Sequence, residues 1–106
     1  MTALDEPAAR MPGDILLHDW LEPNRISMYR LAKAMRVPQV FVSDLVHGNK
    51  RITTQAAFKL AKTLGNTPEY WLDLQTRWDV ANYDADNVSE LERITSMLTD
   101  GIEQNS

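Results

Sequence analysis

The sequence predicts an all-α fold, in which five helices pack around one small core and a short further helix follows in the C-terminal tail. Three observations carry this expectation. Apolar residues recur at helical spacing through most of residues 12–80, and capping residues stand before these stretches while Pro or Gly stands after them. Between Ser27 and Gly48, two such stretches are joined by little more than Arg36-Val37. At 106 residues the chain is expected to form one domain over 12–80, preceded by a polar arm over 1–11 and followed by an acidic tail over 81–106.

Pro12-Gly13 introduces the first helix, expected through about Glu22, with Leu16, Leu17, Trp20 and Leu21 as its apolar stripe and Pro23 as its stop. Trp20 is read first as a packing residue. Ser27 can cap the second helix, which carries Leu31, Ala32 and Met35 on one face, and Pro38 is expected to open the third. Gly48 ends it. Ala32 is the small residue expected where these two helices cross, with Leu31, Val37, Val42 and Leu45 meeting in the interior. This is the pattern of a helix-turn-helix that lays its second helix in a DNA groove, and a plain helical hairpin has the same periodicity. The pattern alone leaves both readings open.

A basic loop, Asn49-Lys50-Arg51-Ile52, leads to a fourth helix capped by Thr53 or Thr54, facing inward with Ala57, Leu60, Ala61 and Leu64 and ending at Gly65. Thr67, Pro68 and Glu69 supply a cap, a first-turn proline and an early carboxylate for a fifth helix through about Trp78. Trp71, Leu74 and Trp78 form its core stripe, and Tyr70 helps to seal it. After the turn-prone residues 81–87, Asn87 or Ser89 can cap a last helix whose narrow apolar edge is Val88, Leu91, Ile94, Met97 and Leu98. That edge either folds back on the bundle or pairs with a second subunit.

The chain has a formal net charge of -4, but its charges are segregated. Residues 1–26 carry -3 and residues 63–106 carry -7, whereas residues 27–62 carry +6, with Asp44 alone opposing Arg30, Lys33, Arg36, Lys50, Arg51, Lys59 and Lys62. A basic middle can steer toward phosphates, and acidic ends can meet a basic partner. With 0 Cys, disulfide and thiolate chemistry are excluded, and a reducing cytoplasm is the expected location. Neither a membrane span nor a secretory leader is readable. His18 and His47 stand alone, there is no glycine-rich phosphate loop or nucleophile elbow, and the carboxylates fall on polar faces. No enzyme activity, metal or cofactor is therefore expected.

The stretches MPGDILLHDWLEP at 11–23 and SMYRLAKAMRVPQVFVSDLVHGNKRITTQAAFKLAKTLGNTPEYWLDLQTRWDV at 27–80 resemble the HigA-type antitoxins, within the broader class of phage-repressor-like helix-turn-helix proteins. The most specific pieces are Pro12-Gly13-Asp14-Ile15-Leu16, Leu21-Glu22-Pro23, Gly48 with Arg51-Ile52-Thr53, Ala57 through Ala61, and Pro68-Glu69 with Trp71, Leu74 and Gln75. The resemblance covers about two-thirds of the chain. It implies a five-helix phage-repressor-like DNA-binding domain, a homodimer on a near-palindromic operator, repression of the protein's own operon, and neutralisation of a HigB-like toxin. Such a toxin is an endoribonuclease of the RelE class that cuts messenger RNA on the ribosome. Orphan members share the same motifs, so a stand-alone regulator without a toxin is the alternative. The family usually has Gly where Arg36 stands, at a turn position where a side chain costs about 1 kcal/mol if φ is positive. Arg36 either accepts that conformation or closes the turn in an allowed one, from where it can reach a phosphate.

Carried onto these positions, the resemblance places Gln39, Val40 and Asp44 nearest base edges, with Ser43 on the same outward face. Gln39 suits an adenine, Val40 a thymine methyl group, and Asp44 a cytosine amino group. Phosphate contacts are expected from Arg36, Lys50 and Arg51, with His47 at the margin and the helix N-termini at Ser27 and Thr53 offering backbone donors. The expected toxin surface comprises Asp14, Asp19 and Trp20 on the first helix and Asp73, Arg77 and Asp79 on the fifth. Leu91, Ile94 and Leu98 are expected to support dimerisation, the face of the helix over 67–78 being the alternative.

Overall fold

Three hydroxyl side chains start three of the helices. Ser27 Oγ accepts from the Arg30 amide at 3.0 Å, Thr53 Oγ1 from the Ala56 amide at 3.2 Å, and Thr67 Oγ1 from the Tyr70 amide at 3.1 Å. Each satisfies a first-turn N–H that has no partner within its own helix. In the computed structural model, which describes residues 9–94, the chain runs through α1 (Pro12–Ile15, continuing as a π-helix, Leu16–Leu21), α2 (Met28–Met35), α3 (Gln39–Val46), α4 (Thr54–Leu64) and α5 (Pro68–Ala81). A 3-10 turn, Ala85–Val88, follows. The described residues contain no strand, and none of their helices is long and apolar enough to cross a membrane.

The π-helical stretch explains why the stripe of the first helix does not bury as an α-helix would bury it. The Glu22 amide donates to the Leu17 carbonyl at 2.9 Å, so residues five apart complete a turn. Leu16 and Leu21 consequently share the core side, at 0% and 1% exposure, while Leu17 and Trp20 are only half-buried. Trp20 closes the bundle rim against α5. Its Nε1 donates to the Tyr70 hydroxyl at 3.0 Å, and its ring centroid lies 5.6 Å from that of Tyr70 and 5.9 Å from that of Trp71.

The core gathers Leu16 and Leu21 from α1, Leu31, Ala32 and Met35 from α2, Val42, Leu45 and Val46 from α3, Ala57 and Leu60 from α4, and Trp71 from α5. Gly13 lets α1 touch α3, since a Cβ there would lie 2.1 Å from the Leu45 carbonyl oxygen and 2.5 Å from that of Val46. Of the expected α5 stripe, Trp71 is fully buried, whereas Leu74 and Trp78 are half-buried.

Pro38 opens α3, standing as its N-cap before the first helical residue, Gln39, in an extended conformation with φ -63° and ψ 151°. Two other sequence expectations change. The fifth helix runs three residues beyond Trp78, to Ala81. Over the described part of the expected helix of 88–98, the structure shows only the end of a 3-10 turn, Ala85–Val88, and the rest of that helix lies outside the described residues. Asp84 Oδ1 accepts from the Asp86 amide at 3.0 Å, and Ser89 Oγ donates to the Asp86 carbonyl at 3.1 Å, so side chains take up the backbone groups of a tight local turn. Residues 89–94 are not helical, leaving Leu91 70% and Ile94 46% exposed. Met97 and Leu98 lie outside the described residues.

Candidate nucleic-acid interface

The turn between α2 and α3 is closed by Arg36 in the left-handed conformation, with φ 59° and ψ 46°. The Val37 amide donates to the Ala32 carbonyl at 3.0 Å, and the Arg36 amide to the Lys33 carbonyl at 3.2 Å, which satisfies carbonyls at the end of α2. Arg36 therefore occupies the conformation that glycine adopts freely, and its side chain is exposed.

From that turn α3 buries Val42, Leu45 and Val46, so the opposite side must face outward. Gln39 and Val40 are exposed, Val40 at 63%; Ser43 and Asp44 are half-buried; His47 is exposed at the C-terminal end. All four expected base-reading residues thus lie on the part of α3 that the core does not use. His47 Nδ1 donates to the Ser43 carbonyl at 2.8 Å, fixing the imidazole beside the last turn.

The loop after α3 folds back onto it. The Asn49 and Lys50 amides both donate to the Asp44 carbonyl, at 2.8 and 3.2 Å, and the Lys50 ammonium sits 5.1 Å from the Phe41 ring centroid. Gly48, at φ 80°, packs beneath Met11, whose sulfur would lie 2.4 Å from a Cβ at that position. Lys50 and Arg51 then line a cleft of about 210 Å³ with Met11, Leu45, Trp78 and Asp79. Lys50 is in this way held against Phe41 of α3, and Arg51 faces the cleft toward α5.

Arg51 is the most constrained of them. Its Nη2 donates to Asp79 Oδ2 at 2.6 Å and its Nη1 to Asp79 Oδ1 at 3.4 Å. Gln75, one turn earlier on α5 and 6% exposed, donates from Nε2 to Asp79 Oδ1 at 2.9 Å and accepts from the Ile52 amide through Oε1 at 2.7 Å. The hydrogen bonds from Arg51 and then from Gln75 hold the Asp79 carboxyl below its usual range. The sequence reading missed this network. Gln75 and Asp79 stand four apart in a helix, which a pattern can show, but their partners are 23 and 28 residues away in the chain.

The residues expected to meet a toxin are distributed differently. Asp14 is exposed on α1, Asp19 accepts from the Arg10 guanidinium at 2.9 and 3.2 Å, and Trp20 is occupied with Tyr70 and Trp71. Asp19 in turn raises the pKa of Arg10. Asp73 and Arg77 line an open groove of about 420 Å³ on α5 with Tyr70, Leu74 and Thr76. Asp79 is absent from that groove, being committed to Arg51 and Gln75.

With this geometry in place, likeness to known proteins is specific. The helix-turn-helix family model matches residues 17–72, more than half of the chain. The chain is 42% identical over 74 residues to the uncharacterized HTH-type transcriptional regulator YbaQ of Escherichia coli, a match covering 67% of this chain and 66% of that one. It is 44% identical over 73 residues to antitoxin HigA-1 of Vibrio cholerae, covering 66% of this chain and 69% of that one. Its fold superposes on the Pseudomonas aeruginosa antitoxin HigA, solved with the higBA promoter, with a TM-score of 0.72 and 28% identity over 79% of this chain and 91% of that one. The chain belongs to the helix-turn-helix family and is a homologue of the HigA antitoxins.

Proposed function

We propose that the protein is a sequence-specific DNA-binding repressor that acts as the antitoxin of a HigB-like endoribonuclease. The observation that carries the DNA half is the exposed edge of α3, Gln39 to His47, followed in the chain by a loop that carries the cations Lys50, held over Phe41, and Arg51. Gln39, Val40 and Asp44, with Ser43, read bases; Arg36, Lys50 and Arg51 hold phosphates, helped by His47. The starts of α2 and α4 add backbone donors next to Ser27 and Thr53, because each cap fills only one of the first-turn N–H positions. The HigA structure solved with its promoter supports DNA binding by likeness.

The toxin half rests on the antitoxin homologues and on charge. An enzyme that cuts messenger RNA needs a cationic surface, and the acidic flanks outside residues 27–62 complement one. Asp14 and Asp19 on α1 and the Asp73–Arg77 groove on α5 are the candidate contacts, with Trp20 as a supporting wall. A stand-alone regulator is the second reading, favoured by the transcriptional regulator YbaQ among the relatives.

One experiment separates them. A candidate toxin from the neighbouring gene is titrated against the wild-type protein and against a variant with Gln39, Asp44 and Arg51 all replaced by Ala, with binding to the upstream promoter followed in parallel. Equal toxin affinity for both proteins, with promoter binding lost only in the variant, is the expected outcome. Promoter binding with no toxin affinity supports the stand-alone regulator, and loss of both activities in a folded variant places the toxin on the DNA-reading face.

A further inference from the structure

The contact between Arg51 and α5 ties a cation of the DNA side to a helix that itself contributes no residue to the reading edge. Arg51 lies in the loop between α3 and α4, and its side chain remains 61% exposed although its guanidinium is gripped by Asp79. Asp79 is held in turn by Gln75, which is buried and bonded to the backbone of Ile52, the residue after Arg51. The loop and the side chain it carries are therefore fixed from one helix at two points.

We propose that Asp79, seated by Gln75, is a positioning residue that holds the Arg51 guanidinium ready for a DNA phosphate. The inference rests on the DNA-binding reading above. A guanidinium has five N–H donors in a rigid plane, and the carboxylate uses one on each terminal nitrogen. Nε–H and the remaining terminal hydrogens are left for a second anion, so Asp79 and a phosphate can be bound together. An arginine that is already aligned loses less rotamer freedom on binding than one that must be immobilised by the phosphate itself. The opposing effect is repulsion between Asp79 and the DNA backbone. Pairing with Arg51 at 2.6 Å largely cancels that repulsion, and salt screens what remains.

The alternatives make opposite predictions. If Asp79 competes with phosphate for Arg51, removing its charge tightens DNA binding. If it only braces the fold, removing it weakens binding by the same factor whether or not Arg51 is present. The test uses a duplex selected from random sequence by the wild-type protein and measures dissociation constants between low and moderate salt. The proteins are wild type, Asp79→Asn, Asp79→Glu, Arg51→Ala and the Arg51→Ala/Asp79→Asn double variant. Asn retains an oxygen for the Gln75 amide, and thermal melts followed by circular dichroism check that each variant is folded.

Asp79→Asn is expected to weaken binding about two- to tenfold, and Asp79→Glu, which keeps the carboxylate, to recover part of that loss. Arg51→Ala is expected to weaken binding further and to lower the salt slope by about 1. In the Arg51→Ala background the Asp79 carboxylate has lost its cation, so Asp79→Asn should no longer weaken binding and should tighten it slightly by removing the repulsion. An equal loss in both backgrounds, or tighter binding by Asp79→Asn while Arg51 is present, overturns the proposal. If Arg51→Ala changes neither affinity nor slope while the wild type still binds, the positioning role falls and the DNA-binding reading stands. If the wild type selects no duplex at all, the DNA-binding reading itself falls.

Discussion

Arg36 and Gly13 show how much of this fold depends on single backbone positions. Arg36 holds φ at 59°, where the Cβ of an L-residue crowds its own carbonyl. Arg36→Gly removes that strain while increasing the flexibility of the unfolded chain, so a net gain of about 0.5–1 kcal/mol is expected, read as a higher urea midpoint with an unchanged slope. If Arg36 also touches a phosphate, the same variant lowers the salt slope of DNA binding by about 1. Gly13 is the converse case, since Gly13→Ala drives a methyl group into the Leu45 and Val46 carbonyls. Backbone lies on both sides, so α1 must move, and a loss of about 1–3 kcal/mol is expected in the same urea titration. Ser27, Thr53 and Thr67 were legible in the sequence because capping is local chemistry. Gln75 was not, because the carbonyl of its amide serves an N–H that only the folded chain brings near.

At the scale of elements, periodicity located the five helices because each must bury a stripe. It misplaced details where something other than burial decided them: the π-helical turn of α1, set by a 17-to-22 hydrogen bond, and the tail, where Asp84 and Ser89 stabilise a 3-10 turn. The outward face of α3 was likewise legible from the inward positions Val42 and Leu45, whereas the tether of the following loop to α5 was not. That tether makes a prediction about pH. The Asp79 carboxyl titrates below its usual 3.8, so near that pH the unfolded chain binds more protons at this site than the native one. The contribution is therefore complete above the ordinary carboxylate range and disappears as pH falls through the lower native value. Melting temperatures of the wild type should exceed those of Asp79→Asn at neutral pH, and the gap should close on acidification. A gap that stays constant down to the acid transition shows that the Arg51–Asp79 pair does not contribute through its charge.

At the scale of the whole molecule, the apolar residues left uncovered bear on assembly. Val80, Tyr83, Val88, Leu91 and Ile94 are all 45% exposed or more, and they follow one another along and beyond the end of α5. A single recognition helix reads only a few base pairs, while two helices about one DNA turn apart read a palindrome and reach the affinity of a repressor. A two-fold dimer is therefore expected, with twice the 12.1 kDa chain mass in sedimentation at micromolar concentration. Full burial of an aliphatic side chain from full exposure stabilises by roughly 1.5–3 kcal/mol, so Leu91 and Ile94, 70% and 46% exposed, supply about 3–7 kcal/mol from two chains before the costs of association. A micromolar dimer requires about 8 kcal/mol net, so these residues are a substantial part of an interface and need help from neighbours such as Val80 or Tyr83. Replacing Leu91 and Ile94 together by Asp touches no core residue. The variant should keep the wild-type melting profile of its helices, sediment as a monomer, and bind a half-site duplex as the wild type does while losing its preference for the full palindrome. A variant that remains dimeric moves the interface to the α5 groove of Tyr70, Asp73, Leu74 and Arg77, and a wild-type protein that sediments as a monomer, and binds its operator one chain at a time, removes the dimer altogether.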